Sequence, residues 1–200
     1  MSRRTWLLIG GLMLAAFLTC GCLGSAILFL STMPPLSRWA APYGIEGREL
    51  PSESVTMENM LPEQVGEYTL TEVVEPLPPM MLDLTGPSKQ GNYTHGVQGV
   101  HLIGTQMKSL EEAHNLVAQV DGEVERAGAV NLNGNWRAFA RWPQAWKMSR
   151  LAWDKWYVRF GIPAWGDQAY GVAWNNGSWF FMATSGSKSA IDDFVIDFDY

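Results

Sequence analysis

The sequence predicts an α+β domain with a mostly antiparallel sheet, carried behind one N-terminal transmembrane helix. Three observations predict it: an uncharged apolar run near the start, a capped helix with apolar residues every three or four positions, and an Asn-Gly turn between two alternating segments. The expected order is ββαββββα, with two amphipathic helices on one face of the sheet. The expected divisions are a cytoplasmic tip and transmembrane signal-anchor helix over 1–33, a Pro-containing tether over 34–61, and an extracytoplasmic domain over 62–200.

Trp6 to Leu30 contains no charged residue. As a helix rising about 1.5 Å per residue it spans roughly 37 Å, enough for a hydrocarbon core of about 30 Å with some tilt. Arg3 and Arg4 precede it, and Arg38 alone follows closely. That bias places the N-terminus in the cytoplasm and the domain outside, periplasmic or extracellular. Trp6 suits the inner interface, and Gly10, Gly11, Gly21 and Gly24 form small-residue faces open to a second helix. Two rival readings stay open. Gly24-Ser25-Ala26 suits a signal peptidase, although the apolar run exceeds the usual length of about 7–15 residues. Cys22 after Gly21 suits lipidation, although Thr19 replaces the expected aliphatic residue and the apolar run continues beyond. Each delivers the domain to the same side.

Pro34, Pro35, Pro42 and Pro51 break any helix in the tether. Glu67–Glu75 is β-branched and aromatic and predicts a strand. Pro76–Asn92 reads as a long loop whose Met80-Met81-Leu82 triplet either folds back on the core or meets a partner. A second strand follows over Gly96–Met107. Ser109 and Glu112 then form a capping box, Leu110, Ala113, Val117, Val120, Val124 and Ala127 make one stripe, and Gly128 closes the helix. Strands are expected at Asn135–Trp142, Trp156–Phe160, Tyr170–Asn175 and Ser178–Thr184. With Asn176-Gly177 as the turn, Trp174 would lie opposite Trp179 and Val172 opposite Phe181. These four, with Tyr170 and Ala183, are assigned to one core face. A last helix starts at Ser189, its stripe being Ala190, Ile191, Phe194, Val195 and Phe198.

Composition narrows the function. Arg3 and Arg4 are two of the 14 Lys and Arg, so the remaining 12 face all 20 Asp and Glu, a formal charge of −8. Such an acidic part argues against general nucleic-acid binding. Both cysteines, Cys20 and Cys22, lie in the anchor, so the domain has no disulfide, thiolate metal site or cysteine nucleophile. No phosphate loop, dinucleotide fingerprint or nucleophile elbow is present. His95 and His101, read as one strand, would stand about 20 Å apart at about 3.3 Å per residue, too far to share a metal. His114 falls off the helical stripe. Asp192, Asp193, Asp197 and Asp199 lack the ligand order of a calcium loop and serve capping and solubility. No cofactor, metal or catalytic residue is expected.

The densest unusual feature is Trp136–Arg159, which holds Trp136, Trp142, Trp146, Trp153 and Trp156 among Arg137, Arg141, Lys147, Arg150, Lys155 and Arg159. Rings inward and cations outward explain this as core; exposed, the same residues would meet a protein, a membrane or a glycan. The expectation is a non-enzymatic, membrane-anchored interaction module, an accessory subunit of a membrane complex. The alternative is a small-ligand or glycan-binding domain using the Trp/Arg surface. Candidate partner-binding residues are Met80, Met81, Leu82, Trp136, Arg137, Arg141, Trp142, Trp146, Arg150 and Trp153. The lipid bilayer is met through residues 6–30, with Trp6, Gly10, Gly21, Gly24 and Leu30 marking the anchor.

Overall fold

A computed structural model describes residues 45–52, 54–133, 144–152 and 155–200. The run Trp6–Leu30 lies outside them, and no helix among the described residues is long and apolar enough to cross a membrane. The described residues form a nine-stranded, mostly antiparallel sheet with helices, an α+β fold. The strands are β1 (Gln64–Val65), β2 (Tyr68–Val74), β3 (Ser88–His95), β4 (Gln98–Gln106), β5 (Val130–Asn131), β6 (Trp146–Ala152), β7 (Lys155–Gly161), β8 (Tyr170–Asn176) and β9 (Trp179–Ser185). Helix α1 (Leu110–Arg126) follows β4, and α2 (Lys188–Asp197) follows β9. The sheet runs β1-β2-β3-β4-β9-β8-β7-β6-β5. Two meanders therefore meet where β4 pairs antiparallel with β9, and β5 lies parallel to β6 at one edge.

The two helices cover opposite faces, not one. Side chains alternate along a strand. From β9, Phe180 and Met182 pack under α1 with Ile103, Val158, Phe160 and Ala173, while Phe181 and Ala183 pack under α2 with Leu102, Val172 and Trp174. Every residue of β9 is buried, so both faces of the central strands need cover. The consecutive Phe180-Phe181-Met182 is the sequence mark of that burial.

The capping box forms as read: Ser109 Oγ accepts from the Glu112 N–H at 3.2 Å. The glutamate reaches back one residue further than expected, its Oε2 accepting from the Lys108 N–H at 3.2 Å. Ala113, Leu116, Val117, Val120 and Val124 are buried, whereas Leu110 and Ala127 at the ends are exposed. The last helix begins two residues earlier than expected, because Ser187 and not Ser189 caps it, accepting from the Ala190 N–H.

The hairpin register also differs. Asn176 pairs with Trp179, so the turn is Gly177-Ser178, and Trp174 faces Phe181 while Val172 faces Ala183. Gly177 takes φ +61°, which its missing Cβ permits. The shift is two positions on one strand, an even number, so the expected residues keep their common face. Trp174 and Trp179 are both buried and each stacks on Phe181, at 5.4 and 6.1 Å between centroids.

Packing starts well before Pro62. Ile45, Val55, Met57, Met60 and Leu61 are buried in the α2-face core, so the expected tether is partly core. Arg48 lies 5.5 Å over the Trp174 ring and donates to the backbone oxygens of Tyr200 (2.9 Å) and Val195. Burial lowers its pKa to about 10, with Asp199 opposing. Lys155 Nζ donates to the Arg48 carbonyl, and Asn176 Nδ2 to that of Glu49 at 2.6 Å. Side chains fasten this segment, so no periodicity announces it.

Part of the expected 76–92 loop is strand β3. Ser88, Gln90, Asn92 and Thr94 pair with alternate β4 residues on the α1 face, leaving Gly91 and Tyr93 toward the other core. A strand so poor in apolar residues carries no hydrophobic alternation.

Candidate functional site

Among the described residues of the Trp/Arg segment, several rings and cations are packed or paired. Trp136, Arg137, Arg141, Trp142 and Trp153, with the expected strand Asn135–Trp142, lie outside the described residues, as do Trp6, Gly10, Gly21, Gly24 and Leu30. Trp146 is only 4 % exposed, which removes it from the candidate contact residues. Its ring covers Gly161, where a Cβ would meet the indole nitrogen at 2.5 Å, and the Arg159 guanidinium lies 5.6 Å above it. Arg159 is itself paired with Asp192 at 2.5 Å. Lys147 is buried against Asp121 (2.9 Å) and Glu125 (3.2 Å) of α1. Trp156 is half-buried and edge-on to His114 at 6.5 Å, so that histidine, although off the helical stripe, packs against a ring. Arg150 is exposed. The Met80-Met81-Leu82 triplet divides: Met80 and Leu82 pack on the α1-face core, and Met81 is 88 % exposed.

His95 and His101 do not share a strand. The turn at Gly96, φ +57°, sends them onto β3 and β4, and each has its own partner. Among the described residues no group of three His, Cys, Asp or Glu could hold a metal ion.

Two polar arrangements emerge that no local pattern marked. The first is a cleft of about 400 Å³ between the β1–β2 and β3–β4 turns and α2, lined by Glu67, Tyr68, His95, Gln98, Asp193, Ile196 and Asp197. His95 Nδ1 stands 3.3 Å from Glu67 Oε2, and its ring lies 5.6 Å from that of Tyr68. The Tyr68 hydroxyl bonds Gln98 Oε1 at 2.9 Å. Burial raises the Tyr68 pKa, helped by the negative charges of Asp193 and Glu67. Asp193 and Asp197 sit one helical turn apart and both are exposed. A side chain at Gly66 would collide with the Asp197 carboxylate, so the β1–β2 turn fits closely against α2. With three carboxylates at its rim, the cleft suits a cationic, N–H-rich group.

The second is a row on the α1 face crossing three adjacent strands. Glu72 of β2 is opposite Asn92 of β3, which is opposite His101 of β4. Asn92 Nδ2 is 3.2 Å from Glu72 Oε2, and Asn92 Oδ1 is 2.9 Å from both Gln90 Nε2 and His101 Nδ1. A β-bulge places Glu72 there: Leu70 pairs with Tyr93 and Glu72 with Asn92, leaving Thr71 as the extra residue. Without it Glu72 would point to the opposite face. The Thr71 hydroxyl donates to the Asn92 carbonyl at 2.9 Å.

No protein-family model, curated protein or solved structure matches this chain.

Proposed function

We propose that this chain is a membrane-anchored, extracytoplasmic interaction module, an accessory subunit whose acidic cleft receives a basic segment of a membrane-protein partner. The observation that carries the reading is the uncharged run Trp6–Leu30 behind Arg3-Arg4, set ahead of a separate compact unit, Tyr43–Tyr200. Glu67, Asp193 and Asp197 supply acceptors and negative charge around a concavity, and exposed Ile196 supplies an apolar contact beside them. Exposed charges of one sign favour encounter with an oppositely charged surface.

The chain should stay with membranes through carbonate extraction, and protease added from outside should remove the domain. In mild detergent a stoichiometric partner should co-purify, and E67K/D193K/D197K should abolish that while leaving the melting temperature within a few degrees. Extraction by carbonate, or a mature N-terminus at Cys22 or Ile27, would overturn the anchor. Undiminished co-purification by the triple variant would overturn the cleft.

A further inference from the structure

The Glu72–Asn92–His101 row fixes the position of a proton. A carboxylate only accepts hydrogen bonds, so the Asn92 atom beside Glu72 is the amide nitrogen and Oδ1 faces the other way. Gln90 agrees independently. Its Oε1 accepts from the Leu77 N–H at 2.8 Å, which leaves its amide nitrogen to donate to Asn92 Oδ1. Asn92 Oδ1 is thus an acceptor, and the ring nitrogen facing it must carry hydrogen. A neutral imidazole has one N–H and one lone pair, so His101 holds its proton on Nδ1 and its lone pair on Nε2.

Nε2 has a further property. Among the described residues the one buried side-chain nitrogen or oxygen without a partner is Asn176 Oδ1. His101 is half-buried and bonds through Nδ1 alone, so Nε2, not being one of the buried unpartnered atoms, keeps some contact with solvent. The bulge at Thr71 gives the arrangement a built origin, since bulges commonly re-aim a side chain beside a functional site.

We propose that His101 Nε2 is a preorganised proton-accepting site for a small ligand that presents an O–H or N–H donor to the α1 face. Glu72 and Asn92 are its positioning residues: the carboxylate orients the amide, and the amide holds the ring proton on the inner nitrogen. This is the relation by which a hydrogen bond at one imidazole nitrogen sets the chemistry of the other.

The chain has three histidines, so its imidazole nitrogens can be assigned by NMR with H95Q and H114Q variants. In alkaline buffer, with the ring neutral, wild-type His101 should be mainly Nδ1–H. N92L should invert the ratio to mainly Nε2–H, and N92D, which keeps an acceptor, should retain Nδ1–H. Diethyl pyrocarbonate tests access. The Nε2 lone pair attacks its carbonyl, a nitrogen–carbon bond forms, ethyl carbonate leaves and decays to ethanol and carbon dioxide, and the Nδ1 proton passes to solvent. Modification of His101 should be several-fold faster in the wild type than in N92L. A wild-type ring that is mainly Nε2–H overturns the proposal, whatever the variants do. So does an Nδ1–H ring that resists the reagent in the folded protein while His95 and His114 react.

Discussion

The two faces of the sheet are built from different materials. The α2 face is aromatic: Trp174, Phe181 and Phe198 pack at 5.4 to 5.9 Å between centroids, and Phe194 and Tyr200 extend the stack. It also receives both flanking segments, the one around Arg48 and the one ending at Tyr200, and the Trp174 indole N–H donates to the Tyr200 backbone oxygen at 2.9 Å. The α1 face is mostly aliphatic, with Ala113, Leu116, Val117, Val120 and Val124 laid over Ile103, Val158, Ala173 and Met182, and with only Phe160 and Phe180 as buried rings among the described residues. Beyond the helix it is polar, and its partly covered strands carry Glu72, Asn92 and His101. The difference teaches where each burden lies. Interlocked rings on a sealed face carry stability, while an incompletely covered face can keep an imidazole nitrogen wet.

The largest test of that division is Trp174→Ala, expected to cost about 3–5 kcal/mol in chemical denaturation, as a buried ring and its hydrogen bond are lost. Leu116→Ala on the other face should cost about 2–5 kcal/mol and fall below the tryptophan value. An equal or larger loss at Leu116 would break the comparison.

Alkaline pH sharpens it further. Burial holds the Tyr93 phenol well above its usual range, and Tyr68 is raised as well. Above pH about 10 the unfolded phenols ionise while the folded ones stay protonated, so the unfolded chain binds fewer protons and stability falls as pH rises. Arg48, lowered to about 10, acts in the opposite sense, since folding favours its neutral form. Tyr93→Phe should cost about 1 kcal/mol at neutral pH, through loss of the 3.0 Å bond to the Pro62 carbonyl, and should flatten the alkaline decline. Arg48 cancels in that difference. A variant with the wild-type alkaline slope would show that Tyr93 does not drive it.

The smallest effect is expected at Glu72→Ala. Its side chain is exposed, so global stability should move by no more than about 0.5 kcal/mol. A loss of several kcal/mol would make the polar row a structural support and erase the contrast between the faces.

What was legible in the sequence followed from local rules. Ser109 and Glu112 announce α1 because capping acts over three residues, and Asn176-Gly177 announces the hairpin because few residues tolerate a positive φ. The register slipped by two because Gly177, not Asn176, opens the turn. The packed segment at Ile45–Leu61 was hidden because irregular chain leaves no period, and β3 because Ser88-Lys89-Gln90-Gly91 has nothing apolar to alternate. The helix faces were misplaced because consecutive apolar residues on β9 demand cover on both sides, which a one-face pattern overlooks. Glu72, Asn92 and His101 come together only through two registers and one bulge, none of them local.

The seam between β4 and β9 has a temporal consequence. It joins His101 to Thr184, so the first meander keeps a bare edge until α1 and strands β5 to β8 have been made and β9 has followed them. Closing so long a loop carries an entropic cost before any seam contact offsets it, which slows topologies of this kind. As synthesis runs from the N-terminus, the sheet cannot be completed before its final strand emerges. Until then the His101–Gln106 edge is open to any extended segment nearby, so the nascent chain passes through a window of vulnerability to misassociation that ends only with β9.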